Sequence, residues 1–403
     1  MNTDSFSLDT IPASGPRASM LVPFIGVVFV QYMVIGMAMP VLPLFVHNDL
    51  GFNTVIVGIV VGSQFAVAVV TRMAAGMFVD SRGVKRAVIL GLLTTAASGL
   101  VNVAAAMFAD QPSVSAGLLI LGRCFLGAGE NLLITGSLCW GMVMVGQQHA
   151  GQAMAWIGTA IFAGMAVSAP LGNALYGSAG FLGVALLSTV LPLLGVRIVS
   201  GLRPVVPPRH ARPSFGKVAK VVFGPGFGVA LSGLGYGAIV TFITLLFVER
   251  GWGGVGLVLS AFGASFIVGR LGFGHLPDRI GGARVALVCI LIEAVGQGII
   301  WLAPGMGLAV VGVTLSGLGY SLVYPALGVE ALARVSSEHR GLAMGSYTVF
   351  LDISLGSSGP LLGWVAGRAG LGSVYLVGMA AALCATVVIV AMLRRSGASG
   401  SRA

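Results

Sequence analysis

The chain is a tandem of two copies of one unit, and its scarce charged residues reveal the register. Arg72, Gly76, Asp80, Gly83 and Arg86 recur as Arg270, Gly274, Asp278, Gly281 and Arg284, each 198 positions on. Gly127, Gly129, His149, Gly151, Ala153, Met154, Pro170, Gly177 and Gly180 recur as Gly317, Gly319, His339, Gly341, Ala343, Met344, Pro360, Gly367 and Gly370, each 190 positions on. The change from 198 to 190 places an eight-residue shortening of the second copy between the positions equivalent to Arg86 and Gly127. Matches of Gly and Ala alone would mean little in a chain with 62 glycines, but Arg, Asp, His and Pro in fixed register do not arise that way. Two parallel copies in a strongly apolar chain predict a transporter whose halves rock against each other around a site between them.

Composition sets the solvent. Charged residues are 8% of the chain and apolar residues 57%, against about 25% charged in a soluble domain. The sequence reads as apolar stretches close to the roughly 20 residues that span a bilayer. The expected spans are 20–42, 54–77, 87–108, 114–143, 151–174 and 179–200, then 218–248, 253–274, 285–304, 306–333, 342–366 and 371–393. The expected fold is therefore an all-α membrane protein of twelve transmembrane helices in two parallel sets of six. Residues 1–19 form a tail before the first set, 201–217 a Pro-rich basic linker, and 394–403 a tail after the second set. The first tail lacks the positive start of a signal peptide.

The net charge of +10 reads as topology. Fifteen of the 22 Lys and Arg lie in the tails and in the loops that follow even-numbered spans, with Lys220 just inside span 7, and only Arg250 and Arg368 lie in the opposite loops. The positive-inside rule then puts both termini in the cytoplasm. Dispersal of these cations among short loops argues against nucleic-acid binding. Cys124, Cys139, Cys289 and Cys384 all fall inside spans, with no loop pairing and no metal-ligand spacing, and are expected to be small buried apolar residues. No cofactor or metal is implied.

Gly76-Met-Phe-Val-Asp80-Ser-Arg82-Gly83-Val-Lys85-Arg86 joins spans 2 and 3, and Gly274-His-Leu-Pro-Asp278-Arg279-Ile-Gly281-Gly-Ala-Arg284 is its degenerate copy. Gly83 and Gly281 suit a tight turn with positive φ, and Gly76 and Gly274 suit close helix packing. Asp80 and Asp278 suit pairing with basic residues or helix N-termini, which would latch the halves together on one side in one state. Both segments resemble the signature loop G-x-x-x-D-R-x-G-R-R of the major facilitator superfamily. Arg123-Cys-Phe-Leu-Gly127-Ala-Gly129-Glu130 in span 4 resembles that family's R-x-x-x-G-x-G motif, associated there with proton coupling. Gly164-Met-Ala-Val-Ser168-Ala169-Pro170-Leu-Gly172-Asn173 in span 5 resembles its antiporter motif, with Ser168 and Ala169 standing where glycine is usual. The span 11 copy, Gly356-Ser-Ser-Gly359-Pro360-Leu-Leu-Gly363, keeps the glycines better. Pro40-Val-Leu-Pro43 in span 1, Glu130, and Phe350-Leu-Asp352 resemble a bacterial drug- or sugar-efflux-like subgroup. The resemblance covers residues 20–393 and implies spans 1, 4, 7 and 10 around a central cavity.

A charge at the bilayer centre costs at least about 2.5–3.5 kcal/mol on insertion scales, so the charges that remain inside spans are candidates for function. Arg123 and Glu130 share a face of span 4 but stand about 10 Å apart along its axis, too far for direct contact. Each is expected to find another partner, and Glu130 is the first candidate for carrying a proton or meeting a substrate charge. Asp352 in span 11 and Glu293 in span 9 are further candidates for protonation, because a neutral carboxyl is far cheaper in lipid than a charged one. Span 9 is peripheral in the resembled fold, which favours a hydrogen bond between helices for Glu293. The recurrence of Arg72 and Arg270 predicts a shared structural role. Polar candidates for the cavity are Gln31 and Tyr32, Asn131 and Thr135, Tyr236 and Thr241, and the pair Tyr320 and Tyr324. His47 and Asp49 are expected to be solvated.

The sequence thus predicts a bacterial inner-membrane secondary transporter, functional as a monomer, that exports a small organic compound in exchange for protons. Its partners are that substrate, protons and the lipid bilayer. Uptake of a sugar or metabolite by proton symport is the alternative. No G-x-x-x-x-G-K-[ST] motif provides for ATP. No nucleophile or acid–base cluster suggests an enzyme, and the loops are too short for a receptor's output domain.

Overall fold

The computed structural model describes residues 21–145, 150–202, 215–333, 335 and 340–400. The first tail, most of the linker, the last three residues, and His149 and His339 lie outside them. The described residues form α1 (Val22–Leu44), which continues as a π turn (Phe45–Asp49), then α2 (Thr54–Arg82), α3 (Val84–Met107), α4 (Pro112–Val145) and α5 (Ala150–Ser200). The second copy forms α6 (Phe215–Glu249), α7 (Val255–Phe273), the short α8 (Leu276–Ile280), α9 (Gly282–Leu302), α10 (Met306–Leu332), α11 (Arg340–Ala369) and α12 (Ser373–Gly400). Eleven of these are long and apolar enough to cross a membrane. One of them, α5, does so twice. Its 51 residues break at Gly180, whose φ of 62° and ψ of −166° lie outside the helical region. The expected loop near 175–178 is therefore absent, and a single left-handed glycine turns span 5 into span 6. The chain is an all-α membrane protein of twelve transmembrane helices in two parallel six-helix repeats.

The repeat register is visible in the backbone. Gly83 and Gly281 are the positive-φ turns of the two signature loops, at 89° and 96°, and Gly180 and Gly370 both have positive φ, at 62° and 84°. A side chain at any of these four would meet the left-handed penalty that glycine escapes. By contrast, Gly76 has open space where a Cβ would stand, and Gly274 faces the Arg270 carbonyl of its own turn. The expected close packing at these two glycines is not found.

Within the first repeat α1 packs on the first arm of α5, α3 on α4 and on the second arm of α5, and α2 on α4. The second repeat reproduces this with α6 on α11, α9 on α10 and α12, and α7 on α10. The halves meet along α2–α11, α5–α7 and α1–α6. The first two contacts are equivalent under the repeat. A Cβ on Gly58 would overlap the Gly359 backbone, one on Gly62 would come 2.6 Å from the Gly356 carbonyl, and one on Gly363 would overlap that of Thr54. On the other side, Gly256 faces Pro170 and Asn173, Gly263 faces Ala166, and Ser260 Oγ donates to the Ala166 carbonyl at 3.1 Å. This accounts for the better-kept glycines of span 11. Its motif packs backbone to backbone across the halves, whereas Gly164 and Gly172 of span 5 pack on α1 inside their own half. Small residues give such close approach, and dispersion with it, where lipid supplies no hydrophobic drive.

Apolar residues cover the outside. Leu194, Val268, Leu271, Val288, Leu302 and Val387 are all at least half exposed, as suits a lipid-facing belt. Cys384 is exposed on the same kind of surface, Cys124 and Cys139 are half-buried, and Cys289 is buried, so the expectation of four buried thiols holds fully only for Cys289.

The Gly58–Gly359 contact yields a direct test. Gly359→Ala is expected to cost about 1–3 kcal/mol by overpacking against a backbone that cannot yield. Gly76→Ala, in open space within a helix, is expected to be neutral or stabilising by up to about 1 kcal/mol. Thermal unfolding of the two purified variants checks the contrast.

Candidate functional site

Three polar clusters lie inside the membrane-spanning part. The first surrounds Glu130 of α4. Tyr32 Oη of α1 donates to Glu130 Oε1 at 2.7 Å, and Gln64 Nε2 of α2 donates to Glu130 Oε2 at 2.7 Å. Each carboxylate oxygen thus receives one neutral donor from a different helix. Gln64 is fully buried and its Oε1 has no partner. Sequence reasoning missed it because attention fell on spans 1, 4, 7 and 10. A glutamine in mid-span 2, where every unpaired amide is costly, was the available signal.

The second cluster joins the halves. Arg72 of α2 reaches Asp352 of α11, with Nε donating to Oδ2 at 2.7 Å and Nη2 lying 2.6 Å from the same oxygen. Asp352 is nearly buried and Arg72 about a quarter exposed. The shared structural role expected of Arg72 and Arg270 is therefore differentiated. Arg72 makes an ion pair, while the Arg270 guanidinium lies 5.9 Å from the ring centre of Phe162. The two contacts are equivalent under the repeat, because Phe162 and Asp352 also differ by 190 positions.

The third cluster lies within the second half. Glu293 of α9 is buried, accepts a hydrogen bond from Ser232 of α6, and leaves Oε1 without a partner. Gln297, one turn on, donates from Nε2 to the Gly235 carbonyl at 2.9 Å. This is the bond between helices that a peripheral span favours. Its counterpart in the first half is Thr95, which donates to Gln31 Oε1 at 2.8 Å, since Thr95 and Glu293 are 198 positions apart.

Arg123 and Glu130 do not meet. Arg123 is 5% exposed. It lines a small cavity with Val34 and Leu42 of α1, Asn102 of α3 and Ser188 of α5, and its Nε is without a partner. Gln31 turns to α3 rather than to the space between the halves. Asn131 is likewise committed to packing, donating to the Ala68 carbonyl at 2.7 Å and to Thr71 Oγ1 at 2.9 Å. Of the two residues expected to be solvated, Asp49 is exposed while His47 is half-buried. The His47 Nδ1 stands 2.7 Å from the Phe52 carbonyl, and Tyr176 Oη donates to Asp49 Oδ2 at 2.7 Å.

Tyrosines and phenylalanines form the wall opposite Glu130. Tyr236 stacks on Tyr320 with centroids 4.9 Å apart, Phe266 lies 6.2 Å from Tyr320, and Phe162 of the first half stacks on Phe266 at 3.4 Å. Tyr236 is within electrostatic reach of Glu130. Tyr324 shares a 2.7 Å hydrogen bond with Thr348 and sits against Tyr347. Under the repeat Tyr320 stands where Glu130 does and Phe262 where Gln64 does. These two equivalent positions are polar in one half and aromatic in the other.

In the signature loops, Asp80, Arg82, Arg86, Asp278, Arg279 and Arg284 are exposed. Lys85 Nζ donates to the carbonyls of Ser200 and Leu202, both at 2.7 Å, and so caps the end of α5 within its own half. Glu330 of α10, missed from sequence, accepts from the Ala283 backbone N–H at 2.9 Å at the start of α9, where a carboxylate complements the helix N-terminus.

Twelve crossings in two equivalent sets, with a polar and an aromatic wall facing each other where the sets meet, agree with what comparison with known proteins finds. Residues 24–255 and 225–402 each match the Major Facilitator Superfamily. The chain belongs to that superfamily. An uncharacterized MFS-type transporter of Salmonella typhimurium is 38% identical over 367 residues, 91% of this chain and 95% of that protein. One of Burkholderia pseudomallei is 38% identical over 403 residues, 98% of each. Among solved structures, the nucleoside transporter NupG superimposes with a TM-score of 0.75 at 15% identity, over 93% of this chain and 99% of that one. A bacterial homologue of the lysosomal transporter Spinster gives 0.71 at 15% identity, over 94% and 96%. These likenesses establish the fold and a transporter rather than an enzyme.

The Arg72–Asp352 pair has a testable signature. Asp352→Asn or Arg72→Gln alone is expected to destabilise by up to about 3 kcal/mol, since each strands a partly buried polar partner. The double variant is expected to recover most of that loss. Thermal unfolding of the four proteins in a double-mutant cycle measures the coupling.

Proposed function

We propose that this protein is a proton-coupled exporter of a small organic compound, working by alternating access in a bacterial inner membrane. Glu130 is its proton site. The observation that carries this reading is the setting of Glu130: a carboxylate held by two neutral donors, Tyr32 and Gln64, with no cation in hydrogen-bond contact. A carboxylate so placed accepts a proton without breaking an ion pair. Tyr32 and Gln64 belong to α1 and α2, which also contact the other half, so a change of charge at Glu130 is felt at the interface between halves. Asp352 is the second proton site. Its release of Arg72 on protonation would loosen α2 from α11. Glu293 serves the packing of α6 on α9.

On this reading the halves, 20–200 and 218–393, are the bodies that rock, joined by the linker 201–217, and a monomer suffices. The basic residues of the even-to-odd loops put the termini in the cytoplasm. The backbone contacts of Gly58, Gly62, Gly256 and Gly363 then lie toward the outer face, and the conformation is inward-facing. Asp80 and Asp278 latch the cytoplasmic ends in the opposite state. The direction of transport rests on the span 4 and span 5 motifs.

Two experiments test the reading. In inverted, energised vesicles with an acidic interior, an exporter accumulates its substrate and substrate addition dissipates part of the pH gradient. Glu130→Gln is expected to abolish that accumulation while leaving downhill exchange intact, because the amide keeps the size but cannot titrate. Loading of right-side-out vesicles from an acidic medium instead would show uptake. For the latch, Asp80→Asn is expected to slow transport more than Asp278→Asn at equal protein abundance, since only the first loop keeps its full basic run.

A further inference from the structure

The repeat that pairs Arg72 with Asp352 leaves Arg270 opposite Phe162. The two arginines occupy equivalent positions on α2 and α7, and their partners occupy equivalent positions on α11 and α5. Where the first interface supplies a carboxylate, the second supplies an aromatic face. Among the described residues Arg270 makes no ion pair and no side-chain hydrogen bond, and its guanidinium makes a cation–π approach to Phe162. A guanidinium carries five N–H donors in a planar fork that suits a carboxylate. Here that fork is half-buried and unanswered.

Arg270 is not turned to lipid. The lipid face of α7 carries Val268 and Leu271, both more than 60% exposed. Arg270 lies on the other face, in line with Phe266 one turn away. Its guanidinium rests against buried Gly158 of α5, where a Cβ would stand 3.5 Å from Cζ and Nη2. Tyr324 is within its electrostatic reach. Phe266 in turn contacts Phe162 and Tyr320, and Tyr320 stacks on Tyr236. A line of aromatic rings thus ends in an uncompensated cation, 5.9 Å from the ring centre of Phe162.

We propose that Arg270 is a substrate-binding residue, and that the substrate class is aromatic carboxylates. The ring packs against Phe266, Tyr320 and Tyr236, and the carboxylate pairs with the Arg270 guanidinium in place of its present cation–π contact with Phe162. This deepens the exporter reading by naming its substrate class. The energetics are compatible: outward movement of an anion against an entering proton carries positive charge inward, so an inside-negative potential drives it together with the pH gradient.

The test is a binding measurement on the purified full chain without any gradient, so that its failure is distinct from failure of proton coupling. The probes are benzoate, 4-hydroxybenzoate, 1-naphthoate and 3-phenylpropionate, each with its carboxamide, followed by thermal unfolding against ligand concentration. In the wild type at least one acid is expected to stabilise the protein at a concentration about tenfold or more below that of its amide. Arg270→Gln is expected to raise that concentration about ten- to a hundredfold and leave the amide's unchanged. Phe162→Asp is the second arm. It rebuilds on α5 the carboxylate that α11 carries, satisfies Arg270 internally, and is expected to abolish the preference for acid over amide even if Arg270→Gln fails to fold. The proposal is overturned if no acid outperforms its amide in the wild type, or if the preference survives Phe162→Asp.

Discussion

Two helix pairs, α2 with α11 and α5 with α7, must approach closely enough for their backbones to touch, and the rest of the arrangement follows from that. In lipid there is no water to expel from between apolar helices, so association relies on dispersion and on interhelical polar contacts. Dispersion falls steeply with separation. Gly58 against Gly359 and Gly363 against Thr54 bring α2 and α11 into contact that one methyl group would prevent. Only at that separation does Arg72 reach Asp352 with direct hydrogen-bond geometry. The same constraint on the pseudo-equivalent side brings Phe162 onto Phe266.

The halves began as one unit, and their divergence is what makes a site. A strictly symmetric pair would place two carboxylates or two aromatic rings face to face. Instead Glu130 and Gln64 face outward from one half, while their counterparts Tyr320 and Phe262 belong to an aromatic surface in the other. Polar groups confined to one wall can be satisfied by neighbours of that wall, as Glu130 is by Tyr32 and Gln64, without requiring a partner across the moving interface. An aromatic wall gives apolar area with few donors: Phe162, Phe262 and Phe266 carry none, and the Tyr324 hydroxyl is met by Thr348. The same logic separates the structural polar residues from the central ones. Gln31 with Thr95, and Glu293 with Ser232, tie helices inside a half and leave the interface free.

Much of this was legible in the sequence. The twelve spans, the two positive-φ glycines of the signature loops and the family follow from apolar stretches of bilayer length, from glycine at fixed offsets, and from an Asp and Arg pattern that a membrane chain keeps only at a cost. These are properties of local chemistry and of spacing along one chain, and both are written in the residues. The lack of direct contact between Arg123 and Glu130 was legible for the same reason, because helical rise alone separates them.

The partners were not legible. Arg72 and Asp352 are 280 positions apart, and Gln64 and Glu130 are 66 apart on different helices; no periodicity connects them. Two glycines expected to pack, Gly76 and Gly274, do not, because at those positions no other helix comes near. Polar residues on the presumed cavity helices divided between the centre and the helix contacts according to rotation about each helix axis. That rotation is settled by packing against neighbours and carries no mark in the sequence of the helix itself. What the sequence determined alone is which segments cross the membrane and that they do so as a duplicated set. Which faces meet, and therefore which cation finds a carboxylate and which an aromatic ring, is decided only when the two copies close on each other, because side chains a few ångströms long can pair only after the backbones have been brought together.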